Sequence, residues 1–210
     1  MIVDEPMSWP VRHHEVLGTG HVSDFVNDEV VTPSGEVVRR QYLTHPGAVA
    51  VVAWDEQADR IACLWQYRHP VRMELVEIPA GLLDSDDEEW LMAGIRELAE
   101  EVALVADRWQ VLVDICTTPG ASEESLRIYL ARGLHQGARP AGFVLEGEEA
   151  FMSWGWVDRR ELVAAVFSGR CQSPTLVAGV LALETAILGG RLEGLRTTDA
   201  PWPIRALRGR

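Results

Sequence analysis

Between Arg96 and Glu101 the chain reads RELAEE, which places Glu97, Glu100 and Glu101 within little more than one turn of any helix formed there. Carboxylates at that spacing suit two opposite situations. They can act as hard oxygen ligands for a divalent cation, or they can form an acidic face turned to water. Repulsion does not choose between the two, because like charges one turn apart cost only about 0.2–0.5 kcal/mol per pair. The choice rests on the elements that position the cluster.

The segment SDDEEWLMAGIRELAEEVAL opens with Ser85 three residues before Glu88, the pattern of a capping box, and predicts a helix from there to about Val102. At about 100° per residue, Leu91, Ile95, Leu98 and Val102 form a narrow apolar stripe, and Glu97, Glu100 and Glu101 converge on the opposite side. Immediately upstream, VEIPAGLLD (Val76 to Asp84) reads as a strand ending in Pro79, Ala80 and Gly81, followed by a short loop. Backbone oxygens are thereby brought near the glutamates.

The rest of the chain alternates strands and helices. Residues up to about His45 form short β-like runs, with a hairpin signal at VVTPSGEVV. AVAVVAW (Ala48 to Trp54) and RIACLWQYR (Arg60 to Arg68) predict adjacent buried strands, joined by WQVLVDIC, SLRIYLA and SWGWV. Asp158 and Ser173 each precede an apolar helical pattern, the second with Pro174 at its first position. Trp154 and Trp156 are expected in the core. This pattern predicts an α/β or α+β protein with a mixed sheet.

Composition sets outer bounds. The chain has 210 residues, 47% hydrophobic and 24% charged, as in an ordered globular protein. Its formal net charge of -13 argues against an electrostatic nucleic-acid binder. All 19 basic residues are arginine. Cys63, Cys116 and Cys171 are odd in number and dispersed, which fits a reducing cytoplasm. The N-terminus lacks the pattern of a secretory signal, and the apolar stretch Leu176 to Gly190 is too short to span a bilayer and carries Glu184. No membrane association is expected.

With these pieces assembled, the sequence resembles the Nudix hydrolase signature: glycine, five residues, glutamate, seven residues, then Arg-Glu-apolar-any-Glu-Glu-any-Gly-apolar. Gly81, Glu88, Arg96, Glu97, Leu98, Glu100, Glu101 and Leu104 match in type. The Gly81 to Glu88 interval is one residue longer than usual. Ala103 stands where the family has glycine, at a helix end that favours a left-handed residue, and is expected to cost about 1 kcal/mol or shift the cap.

The resemblance implies a Nudix-type α/β/α sandwich over residues 46–210, preceded by an N-terminal β-rich unit over 1–45 that serves dimerisation. It implies hydrolysis of a nucleoside diphosphate linked to another group, with Mg²⁺ (or Mn²⁺) held by Glu97 and Glu101, Glu100 shared, and the Ala80 carbonyl completing the site. Arg96 would orient the glutamates. Glu88 has two readings, a helix cap or a partner of that arginine.

Beyond the signature, GAVAVVA, QYRHP, IPAGLLD, PGASEES and GWV occur in the order of the ADP-ribose pyrophosphatase branch, with actinobacterial-like features. That branch implies a general base on the loop before the last strand, here Glu149, or Glu148 beside it; a plain acidic loop is the alternative. Arg68 is implied as a phosphate contact or a structural ion pair, and Glu77, Ser122 and Glu123 as further substrate contacts. Arg39, Phe25 and Tyr42 would approach adenine in a homodimer. Ala121 stands where relatives often carry an aromatic residue, which leaves the exact nucleoside diphosphate sugar open. The rival from another class is a Nudix-fold nucleotide sensor without turnover.

Overall fold

The computed structural model describes residues 2–83, 88–144, 147 and 149–205, with the side chain of Glu149 outside that set. The described chain forms two compact units. The first comprises residues 1–47, 115–126 and 201–210; the second comprises 48–114 and 127–200.

The first unit is built on an antiparallel sheet of β1 (Val11–Thr19), β2 (Asp24–Val31) and β3 (Val37–Leu43), in that order. The expected hairpin joins β2 to β3. Its turn is closed by the Gly35 N–H donating to the Thr32 carbonyl, and Gly35 takes the positive φ of 85° that glycine tolerates. Residues 115–126 join the same unit: the Leu43 N–H donates to the Ala121 carbonyl, and the Glu123 N–H donates to the Leu43 carbonyl.

The second unit carries the main sheet, formed by β4 (Ala48–Asp55), β5 (Arg60–Arg68), β6 (Met73–Glu77), β7 (Ala80–Leu82), β8 (Leu104–Cys116), β9 (Ser125–Gln136) and β10 (Ser153–Asp158). The order is β10-β5-β4-β9-β8, with β6 on β5 and β7 on β4. β4 is buried from Ala48 to Trp54, as a strand covered on both faces must be. Helix α1 (Trp90–Val102) covers one face: a Cβ on its Gly94 would touch Val51 and Tyr129. Helix α3 (Pro174–Leu188) covers the other, since a Cβ on its Gly179 would meet Val52, Ile78 and Ile128. Residues 51 and 52 point to opposite faces, so helices flank the sheet as in the expected sandwich. Helix α2 (Arg159–Phe167) packs by α3 and β10, with the Asp158 carboxylate accepting from the Glu161 N–H.

Three local expectations change. Helix α1 starts at Trp90 rather than near Ser85, with Glu89 as its N-cap, and Ser85 lies outside the described residues. Ser173 is the N-cap of α3 by position, but its hydroxyl lies 3.0 Å from that of Thr175 and makes no capping bond. The strand expected to run through to Gly81 is broken: β6 stops at Glu77, and Ala80 and Gly81 lie in the separate short strand β7, pairing with Ala50 and Val49 of β4. Trp154 and Trp156 are partly buried, edge to face with each other at 6.1 Å between ring centroids, and pack against the cluster of Ala62, Leu64, Leu98 and Val102.

Candidate active site

Helix α1 buries a face rotated from the predicted stripe, keeping Leu98 and Val102 but leaving Leu91 and Ile95 at its edge. Ala93, Gly94, Glu97, Leu98, Glu101 and Val102 are buried, whereas Leu91 and Ile95 are only partly so. Two of the three glutamates therefore lie in the packed face. Small residues make this approach feasible. A Cβ on Gly81 would stand 1.8 Å from Glu97 Oε1, a distance no side chain can occupy. Strand β7 and the Glu97 carboxylate thus touch at the glycine.

Arg96 organises the cluster. Its Nε and Nη2 donate to Glu88 Oε1 (3.0 Å) and Oε2 (3.1 Å), and its Nη1 donates to Glu97 Oε1 (2.6 Å) and Glu100 Oε2 (3.0 Å). Glu88 is therefore a forked partner of the arginine, which decides between its two readings. The bond to Glu88 above all, joined by the charge of Glu97 and the bond to Glu100, raises the guanidinium pKa still further against the opposing effect of burial. Glu101 is held from the strand: its Oε2 accepts the Ala80 N–H at 3.0 Å. Sequence reasoning invoked the Ala80 carbonyl, and the structure brings the amide to the cluster.

One guanidinium faces Glu88, Glu97 and Glu100, with Glu101 beside them, and Glu97 and Glu101 are only 9% and 7% exposed. Burying carboxylates is costly, so each is held by named donors, and a site of this kind is also where a hard cation can be bound. Among the described residues no three His, Cys, Asp or Glu side chains converge as a ready-made metal cluster, because Arg96 gathers Glu97 and Glu100 to itself. Such a cage is not required for Mg²⁺, which takes one or two carboxylates and keeps several waters. In type, the carboxylates of Glu97, Glu100 and Glu101 are hard oxygen donors that could hold a divalent ion.

Arg68 and Glu77 form a forked ion pair across β5 and β6, at 3.0 Å (Nε to Oε1) and 2.6 Å (Nη2 to Oε2). The Glu77 side chain is 7% exposed and that of Arg68 is 41% exposed. Glu77 thus meets the arginine, which retains a solvent-facing side.

In the first unit, the Ser122 hydroxyl accepts the Glu124 N–H at 3.1 Å, and Glu123 is exposed. The Tyr42 hydroxyl donates to Asp28 at 3.0 Å, and burial together with that carboxylate pushes its pKa to about 12. Arg39 is 76% exposed in its side chain, 3.7 Å from Glu29, and Phe25 is also exposed. Glu148 lies outside the described residues, as does the side chain of Glu149, whose backbone opens a short 3₁₀ turn, Glu149–Phe151. Sequence reasoning missed Arg139, which donates to the Glu100 carbonyl (2.9 Å) and the Glu101 carbonyl (3.2 Å). The one available signal was the lack of any basic residue in the last turn of α1.

Residues 44–172 match the model of the NUDIX domain. The chain belongs to the Nudix hydrolase family. Members of this family typically depend on a divalent metal. Over 188 residues, 90% of this chain and 88% of the relative, this Nudix hydrolase is 43% identical to a Mycobacterium tuberculosis protein named ADP-ribose pyrophosphatase. It is 35% identical over 128 residues, 61% of the chain and 68% of the relative, to the methanol dehydrogenase activator of Bacillus methanolicus. The crystal structure of an ADP compounds hydrolase superposes with a TM-score of 0.71, covering 90% of this chain and 98% of that one at 17% identity, a likeness of fold. Among the described residues, no helix of this Nudix hydrolase is long and apolar enough to cross a membrane.

Proposed function

We propose that this Nudix hydrolase cleaves the pyrophosphate of ADP-ribose, or of a related nucleoside diphosphate sugar, giving AMP and ribose 5-phosphate in the first case. The observation that carries the reading is the burial of Glu97 and Glu101 against the glycine strand. The chain's 43% identity to a protein named ADP-ribose pyrophosphatase supports the choice of substrate. When bound, Mg²⁺ (or Mn²⁺) supplies neutralisation of the phosphate oxygens and a more acidic water. Glu97 and Glu101 are its main protein ligands, with Glu100 and the Ala80 carbonyl beside them, and Arg96 fixes the carboxylates through its forked bond to Glu88. Glu149, or else Glu148, accepts the proton of the attacking water. Arg68, aimed by Glu77, offers N–H groups to a phosphate oxygen, and Ser122 and Glu123 contact the terminal ribose.

The N-terminal unit, residues 1–45, serves as the dimerisation element, and its partner brings Arg39, Phe25 and Tyr42 to adenine. The support for this is strand β1, exposed along its whole length with Val11 and Val16 at 51% and 52%.

The test is a panel of ADP-ribose, ADP-glucose, NADH, diadenosine polyphosphates and 8-oxo-dGTP with product detection. ADP-ribose is expected to turn over fastest. Glu97→Gln should abolish Mg²⁺-dependent turnover with folding nearly intact, and Glu149→Gln should lower kcat more than metal affinity. No turnover across the panel would reject the hydrolase reading in favour of a nucleotide sensor.

A further inference from the structure

The last turn of α1 ends on Ala103, a non-glycine residue at φ 53° and ψ 41°, the left-handed region that costs a side chain roughly 1–2 kcal/mol. Carbonyls in a helix's last turn also lack intrahelical partners. Here a segment more than thirty residues downstream supplies them. The Gly137 N–H and Gln136 Nε2 both donate to the Ala103 carbonyl at 2.9 Å. Arg139 spans the next two carbonyls, with Nε on Glu100 and Nη2 on Glu101 at 2.9 and 3.2 Å. Its positive charge sits where the helix dipole is negative. Arg139 thus grips the backbone of Glu100 and Glu101, two residues whose carboxylates belong to the acidic cluster.

We propose that Arg139 is a positioning residue for the cation site. By fixing two adjacent carbonyls through one planar guanidinium, it sets the orientation of the turn from which Glu100 and Glu101 project, and with it the reach of the Glu101 carboxylate beside Ala80. Gln136 steadies the same helix end through Ala103, which carries no ligand, and its amide also donates to the Gly137 carbonyl at 3.3 Å. The pair therefore separates positioning from general stiffening of the helix end. The inference rests on the proposed cation site.

The experiment measures Mn²⁺ binding by electron paramagnetic resonance, and thermal unfolding, on the full chain and on Arg139→Ala, Arg139→Lys and Gln136→Ala. Loss of a partner that orients a metal ligand typically weakens metal affinity by about 10–100-fold, and a value on the order of tenfold is expected for Arg139→Ala. Gln136→Ala should lower Tm but leave the Mn²⁺ Kd unchanged, and Arg139→Lys should restore Tm more than affinity, since an ammonium lacks the planar fork. Unchanged Mn²⁺ affinity in Arg139→Ala, or an equal loss in Gln136→Ala, would overturn the proposal. Failure of the wild-type chain to bind Mn²⁺, or binding that survives Glu97→Gln with Glu101→Gln, would instead overturn the cation site itself.

Discussion

Gly81→Ala tests whether the contact between strand and carboxylate is functional. The added Cβ would lie 1.8 Å from Glu97 Oε1, 2.1 Å from Cδ and 2.6 Å from Cγ, some 1.6 Å short of the 3.4 Å at which ordinary contact begins. The atoms it meets form the end of a side chain rather than backbone, so Glu97 can swing aside and the fold survives, at an overpacking cost of about 1–3 kcal/mol. The carboxylate cannot stay where it is. Misplacement of a positioned group by about 1 Å can cost roughly 100-fold in rate, equivalent to about 2.7 kcal/mol of barrier. The assay is kcat for ADP-ribose at saturating Mg²⁺, with circular dichroism to follow folding. Gly94→Ala is the control: its Cβ would meet Tyr129 at 3.4 Å and Val51 at 3.6 Å, ordinary distances. Removing a mid-helix glycine there should raise stability by about 0.5–1 kcal/mol and spare activity. A folded Gly81→Ala enzyme within about threefold of wild type would refute the reasoning.

Three further outcomes follow from other groups. Ala103→Gly relieves the left-handed C-cap and should stabilise the chain by about 1 kcal/mol, seen as a Tm rise of roughly 2–4 °C in a calorimeter. Arg68→Ala strands the buried Glu77, whereas Glu77→Gln leaves a partly solvated arginine; urea melts should show a loss of about 2–3 kcal/mol for the first and under about 1 kcal/mol for the second. Asp59 accepts from Arg159 Nε at 2.7 Å and Nη2 at 2.9 Å, and that bond above all, aided by the Trp54 indole N–H, holds its pKa below the ordinary carboxylate value. A depressed pKa gives stability that is full above the unfolded value of about 3.9 and is lost as pH falls through the folded one. A Tm profile from pH 6 to pH 2 should therefore drop more steeply at its acid end for wild type than for Asp59→Asn, and parallel profiles would remove Asp59 from the acid response.

Most of the strands were legible because their signals are local. AVAVVAW is apolar on both faces and lies between α1 and α3, and PSG between valine pairs is the turn it suggested. The acidic signature was equally visible, since residue type and spacing survive without coordinates. What stayed hidden depends on contacts between distant segments. The buried face of α1 is set by Gly81 and by Ala93 and Gly94, which read as weakly apolar in a periodicity count yet allow the closest approach. Glu88 was ambiguous because a cap and an ion pair use the same residue type, and only the position of Arg96 separates them. Arg139 lies 38 residues from Glu101, and nothing local marks it as that helix's cap.

The placement of the glutamates bears on why the site takes this form. A helix that packed on Leu91 and Ile95 would leave Glu97 and Glu101 in water, where high dielectric weakens any grip on a cation and side-chain freedom must be lost on binding. Turning the helix so that Glu97 meets Gly81 and Glu101 meets the Ala80 N–H reverses both disadvantages. The carboxylates become partly desolvated and partly fixed in place, which is what the proposed cation site requires of them. Arg96 makes the arrangement tolerable in the meantime by sharing one guanidinium among Glu88, Glu97 and Glu100. The glycine is therefore retained for reach rather than for backbone freedom, since Gly81 lies in strand β7 outside the left-handed region. Only a residue without a Cβ lets the strand lie against the Glu97 carboxylate, while the neighbouring Ala80 N–H holds Glu101.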